Sequence, residues 1–286
     1  MRAKNISIPL DTYHIQADLY LQENSSPLIV MAHGLGGDKS CALHLYIDFY
    51  IEQGYSVCCF DYRGFGNSTG KYKNLVDKNS QLLDWQTVID YLKKTLNLTE
   101  KQLILWGYSL SGAHVLTLAS KTNYQAVIAN FPHVDGVASV LKYPSLYLLP
   151  AVFLAVTDLA LSMVGRTKTM KVVSKNRFAV LSGKDSYEGY YSLIPPDQYW
   201  DNKVPARIIA TISFYRPIAV AHYIQCPTLM LGAKNDSLIP IVQTRKTAQK
   251  SKYIQYVEEN CGHFDLFHRQ FMSTIQKQHS EFLESL

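Results

Sequence analysis

The stretch Leu103-Ile104-Leu105-Trp106-Gly107-Tyr108-Ser109-Leu110-Ser111-Gly112 decides how this chain is read. An apolar run stops at a small residue, presents one serine and continues into a helical pattern, which is the layout of a nucleophile elbow. A strand turning sharply into a helix holds the serine in a strained backbone conformation, above the sheet edge and near the helix N-terminal amides. Small residues at Gly107 and Ser111 let such a turn close, although Ser111 stands where the usual pattern has glycine. Ser109 is preferred to Ser111 as the nucleophile. A plain strand-to-helix turn with a capping serine would leave the same string, so the rest of the chain has to decide.

Around the elbow, strand candidates at 27–31, 56–60, 102–106, 125–129, 228–231 and 253–257 alternate with helical patterns such as 43–53 and 81–96. Most of these strands are continuous apolar runs, as expected of parallel strands covered on both faces. The alternation predicts an α/β fold with a doubly wound, mostly parallel sheet. Ile6 and Ile8, then Ile15, Ala17 and Leu19, alternate as an antiparallel hairpin at its edge. The alternation breaks for some ninety residues between His133 and Tyr223, which predicts a structured insertion. The expected layout is a core of residues 1–132 and 224–286, with 133–223 as a cap.

Within that insertion, 143–164 is almost continuously apolar, broken by Pro144, Pro150 and Asp158. Its length admits a membrane span, but two prolines and an acid favour a buried lid helix. Arg166, Lys168, Lys171, Lys175 and Arg177 follow within twelve residues that contain no acid, and they equal the whole net charge of +5. A solvated helix face is the plain reading of this run. No aromatic-interleaved basic motif accompanies it, so no nucleic-acid partner is expected. Tyr190, Tyr191, Tyr199 and the Pro195-Pro196 pair read as packing residues of the same cap, and 264–286 reads as a helical end.

The remaining composition excludes other classes. A chain of 286 residues with 47% hydrophobic content suits one large domain with additions. Cys41, Cys58, Cys59, Cys226 and Cys261 form no C-x-x-C pair, against a disulfide framework and a zinc site, and read as reduced buried thiols. Met1-Arg2-Ala3-Lys4-Asn5 leads straight into strand-like alternation with no secretory apolar segment, so a cytoplasmic location is expected.

A serine hydroxyl needs a base to take its proton, and the base needs a carboxylate to fix its tautomer. In a doubly wound sheet such groups gather at the carboxyl ends of the strands. Asp236 follows the 228–231 strand, just before a helix starting near Pro240, and His263 follows the 253–257 strand. Taken singly, Asp236 could be a helix cap and His263 a surface histidine. The strand at 27–31 runs into Ala32-His33-Gly34-Leu35-Gly36-Gly37, a turn able to bring its backbone close to the serine. The amides of Leu35 and Leu110 are therefore assigned to an oxyanion hole, with His33 as an organiser of the turn. A phosphate loop would need the Lys-[Ser/Thr] ending that is absent here.

With these residues in hand the chain resembles the α/β-hydrolase superfamily over nearly its full length. The matches, in order, are His-Gly-Leu-Gly-Gly at 33–37, Asp-Tyr-Arg-Gly-Phe-Gly-Asn-Ser at 61–68, the elbow, Asp236 with Pro240, and Gly262-His263. The resemblance implies a Ser109–His263–Asp236 triad, a helical cap inserted after the sixth strand, and no cofactor or metal. It does not name the reaction. The apolar cap favours a small-molecule substrate with a hydrophobic acyl group, joined as an ester or thioester. A peptidase would need an acidic site for the substrate amine, for which Asp185 and Glu188 are candidates, and a non-catalytic ligand-binding member is the reading from another class. The apolar cap helix and its basic neighbour also suit peripheral contact with a membrane.

Overall fold

A computed structural model describes residues 3–23 and 27–286. The first two residues of the N-terminal reading, Met1 and Arg2, lie outside the described residues. In chain order the elements are β1 (Lys4–Leu10), β2 (Tyr13–Tyr20), β3 (Leu28–Ala32), α1 (His44–Glu52), β4 (Ser56–Phe60), α2 (Lys78–Leu96), β5 (Leu103–Tyr108), α3 (Leu110–Ala119) and β6 (Ala126–Asn130). The long segment that follows carries α4 (Gly136–Leu141), α5 (Ser145–Ser162), β7 (Thr169–Lys171), α6 (Ser186–Tyr191), β8 (Lys203–Pro205) and α7 (Ile208–Thr211). The chain then returns through β9 (Thr228–Ala233), α8 (Ile241–Ala248), β10 (Ile254–Glu259) and α9 (Arg269–Glu284).

Eight strands form one sheet in the order β1-β2-β4-β3-β5-β6-β9-β10. From β4 onward every pairing is parallel, whereas β2 meets both β1 and β4 antiparallel. The apolar strands β3, β5, β6 and β9 are buried at every position, because helices cover both faces. The period-two strand β1, at one edge of the sheet, alternates buried and exposed residues, with one face on the core and one toward solvent. This is the doubly wound, mostly parallel α/β sheet expected, with strand ends moved by one or two residues.

β5 is central, and α3 leaves its carboxyl end with all ten of its residues buried. The loops after β3, β6, β9 and β10 leave the same edge as the elbow, which gathers the chemistry there. The segment between β6 and β9 sits above that edge. Its two short strands β7 and β8 pair only with each other, as a ribbon separate from the main sheet.

Two expectations for this segment need correction. α5 is not a buried lid helix: Ala151, Ala155 and Asp158 face the protein, but Leu146, Leu149, Val152, Phe153, Val156 and Leu159 are exposed. The helix packs on the segment's own small cluster of Met170 and Ala206, too little surface to cover more than one of its faces. Nor does the basic run form a helix face. It occupies the turn after α5, the strand β7 and the loop beyond it, with all five cations exposed.

Candidate active site

Ser109 lies between β5 and α3 with φ 57° and ψ −116°, a region an L-residue enters only under strain. Neighbouring backbone holds it there: its amide donates to the Asn130 carbonyl at 3.0 Å, and its own carbonyl accepts from Ala113 and His133. Gly107 is required, because a Cβ at that position would lie 2.4 Å from the Ser111 carbonyl oxygen. Ser111 needs no glycine, because it is an ordinary turn of α3 and is fully buried, which also removes it as a nucleophile.

The loops after β9 and β10 complete a hydrogen-bonded chain. His263 Nε2 lies 2.9 Å from Ser109 Oγ, and His263 Nδ1 lies 2.6 Å from Asp236 Oδ2. Nδ1–H therefore donates to the carboxylate, leaving Nε2 to accept from the serine hydroxyl. The second Asp236 oxygen accepts the amides of Leu238 and Ile239, each at 2.7 Å, so the loop before α8 fixes the carboxylate. Tyr108 donates its hydroxyl to the His263 carbonyl, and Lys142 donates to the Asp236 carbonyl, both at 2.9 Å. All three predicted residues thus meet, and these two positioning bonds were not foreseen.

The glycine-rich loop after β3 passes directly over the elbow, and a Cβ at Gly34 would sit 3.4 Å from Ser109 Cβ. His33 Nδ1 donates to the Gly34 carbonyl at 2.9 Å, which fixes the peptide whose N–H belongs to Leu35. Burial pushes the His33 imidazole down to about 4, so it is neutral with its proton on Nδ1. Tyr190 donates to the Leu35 carbonyl and Trp200 Nε1 to the Gly36 carbonyl, both at 2.8 Å. Those two rings stack with centroids 4.5 Å apart. Tyr190, read as a packing residue, thus pins the loop together with Trp200. Among the described residues no protein acceptor takes the N–H of Leu35 or of Leu110.

Two clefts meet at Ser109, sharing Leu35, Leu181 and His263. The first is roofed by Val140, Tyr143, Leu148, Ile209 and Ile212 from the inserted segment, with Ser182 and Ser237 as polar points. The second is walled by Tyr108, Tyr190, Leu193, Phe264 and Phe267. No carboxylate lines the first cleft among the described residues, and Lys142 is its one cation. Glu188 is exposed and Asp185 accepts the Ser237 hydroxyl, so neither candidate for an amine site faces this cleft. His133 does face it, and no pattern in the sequence marked it. Its Nε2 is buried without a protein partner, and burial pushes its imidazole down to about 4.

Residues 23–256 match the family model described as serine aminopeptidase S33, a group of hydrolases. The chain belongs to this family of α/β hydrolases. It is 30% identical to the quorum-quenching protein AidA of Acinetobacter baumannii, over 98% of this chain and 95% of the relative. A 30% identity to the thiohydrolase aneE of Aspergillus aculeatus spans only 39% of this chain and 35% of that protein. In fold it resembles the α/β hydrolase GrgF of Penicillium, with a TM-score of 0.82 at 21% identity, covering 100% of this chain and 99% of the other. Within an α/β hydrolase, a serine bonded to a fixed imidazole beside two free N–H groups is equipped for attack on a carbonyl carbon.

Proposed function

We propose that this α/β hydrolase cleaves a carboxylic ester or thioester of an apolar acyl group, with residues 133–223 as a cap over the acyl site. The observation that carries the reading is the continuous bonding from Asp236 through His263 to Ser109, beside the amides of Leu35 and Leu110, which no described residue engages. Ser109 Oγ attacks the carbonyl carbon as its proton passes to His263 Nε2. Asp236 holds the imidazole in the correct tautomer and stabilises the imidazolium. The two amides take the developing oxyanion, a contribution on the order of several kcal/mol in the transition state. His263 then protonates the departing alcohol or thiol, and water clears the acyl-enzyme by the same steps.

The apolar roof of the first cleft supports an aliphatic acyl group, and the thiohydrolase relative is consistent with a thioester. A second reading is favoured by the family description, since an aminopeptidase would use the same serine chemistry on a peptide. Such an enzyme needs a carboxylate for the substrate amine, and the cleft offers Lys142 instead. Turnover of p-nitrophenyl and thioester substrates of graded chain length, set against aminoacyl p-nitroanilides, separates the two. Ester or thioester turnover that is lost in Ser109→Ala is expected, and preferential cleavage of the anilides would overturn the reading.

A further inference from the structure

Among the described residues nothing covers one apolar face of α5. Leu146, Leu149, Val152, Phe153, Val156, Leu159 and Ala160 repeat at three- and four-residue spacing, which puts them on one side of the helix, and the exposed Met163 and Val164 follow in the turn after it. Leu149 and Phe153 are 81% and 72% exposed, and no charged residue interrupts the face. The opposite side is anchored to the protein. Asp158 is buried and accepts from Arg207 Nε at 2.6 Å and Nη2 at 3.1 Å, and from the Lys168 amide at 2.6 Å. Tyr143 and Tyr147 bond the carbonyls of Ala179 and Asn176, each at 2.8 Å. A helix tied down in this way lies on the surface and does not span a bilayer.

Those same bonds place the basic run. The chain turns at Gly165 and retraces α5 from its last turn, with Lys168 beside Asp158, to its first turn, with Asn176 beside Tyr147. Arg166, Lys168, Lys171 and Lys175 therefore border the helix along its length. Among the described residues none of them has a carboxylate within ion-pair distance. An apolar helix face bordered by unpaired cations complements an anionic lipid surface, where the side chains enter the acyl boundary and the cations meet headgroups. Tyr143 and Leu148, from the start of the same helix and the turn before it, line the cleft at Ser109.

We propose that α5 and residues 166–175 form a docking surface for anionic phospholipid membranes, seating the mouth of the cleft at the bilayer. The docking itself needs no turnover; only the delivery of acyl substrate from the membrane rests on the proposed hydrolysis. The test is co-sedimentation of the full chain with vesicles of phosphatidylcholine mixed with phosphatidylglycerol, and with vesicles of phosphatidylcholine alone. Two variants accompany it: Leu149→Ser with Phe153→Ser, and Arg166→Gln with Lys168→Gln and Lys171→Gln. Lys175 and Arg177 are left intact because they hold the Tyr187 ring and the Ser182 carbonyl.

The wild type is expected to prefer the phosphatidylglycerol vesicles. The serine pair should lose binding to both vesicles while keeping its circular dichroism and its hydrolysis of a soluble ester. The glutamine triple should lose the anionic preference by about ten-fold or more. Wild-type protein that stays in the supernatant, or a serine pair that binds as well as wild type, would overturn the proposal. So would a wild-type dimer that Phe153→Ser converts to monomer in the absence of lipid, which would assign the face to a second copy of the chain. If vesicles bind but no ester is cleaved, the docking surface stands and the hydrolase reading fails.

Discussion

Ser109 is held at φ 57°, a conformation that costs a non-glycine residue on the order of 1–3 kcal/mol and persists only because its neighbours over-determine it. Gly107 is one of those neighbours. Gly107→Ala would force a methyl against the Ser111 carbonyl, and we expect a loss of about 1–3 kcal/mol of stability together with slower acylation, read by denaturant melts and kcat/KM. His33 acts one bond further away, by holding the Gly34–Leu35 peptide. His33→Ala should lower kcat by roughly 10- to 100-fold, less than the loss of an oxyanion donor, and leave KM nearly unchanged. A raised KM with kcat intact would place His33 in substrate binding instead. Ser109, Asp236 and His263 were legible in the chain because each follows a strand, in an order the architecture dictates. His133, Tyr190 and Trp200 were not, because their partners are reached only through tertiary packing and no local spacing announces them.

At the scale of elements, the apolar strands predicted the sheet because burial on both faces leaves an unbroken hydrophobic run. The same reasoning misjudged α5, whose composition is that of a covered helix. Periodicity reports which side of a helix is apolar, and in a helix apolar all round it cannot say which side the protein covers. What fixes the buried side is Asp158, whose carboxylate takes two bonds from the Arg207 guanidinium and one each from the amides of Lys168 and Arg207. Asp158→Ala leaves those donors and the guanidinium without their partner, a loss on the order of 3 kcal/mol confined to this segment. The expected outcome is faster proteolytic cleavage between α5 and β7, with the melting of the sheet little changed. Unaltered proteolysis would show that the apolar contacts alone seat the helix.

For the whole molecule, stability should depend on buried imidazoles. Burial pushes His114 and His279 down to about 3 and His33 and His133 to about 4, all from an ordinary 6.5. His114 and His279 each have both nitrogens bonded in the neutral form, to Gln81 and Tyr215 and to Asn130 and Tyr50. Below pH 6.5 the unfolded chain binds protons that the fold excludes, so these four groups lose stability as pH falls toward about 4. Asp61 and Asp84 oppose them: burial raises them from 3.8 to about 7 and about 6, so the fold keeps protons that the unfolded chain releases, and that stability is lost as pH rises. Four imidazoles against two carboxyls leave a net loss of stability on acidification between pH 6 and 5. Denaturant midpoints measured across that window check the sign, and a midpoint that rises on acidification would contradict it. An activated Ser109 reacts with a fluorophosphonate, and intact-protein mass after exposure to that probe reads the reaction. Wild-type protein should gain one phosphonyl group and Ser109→Ala none. A folded wild type that stays unlabelled, or an alanine variant that labels equally, would contradict the activation of Ser109.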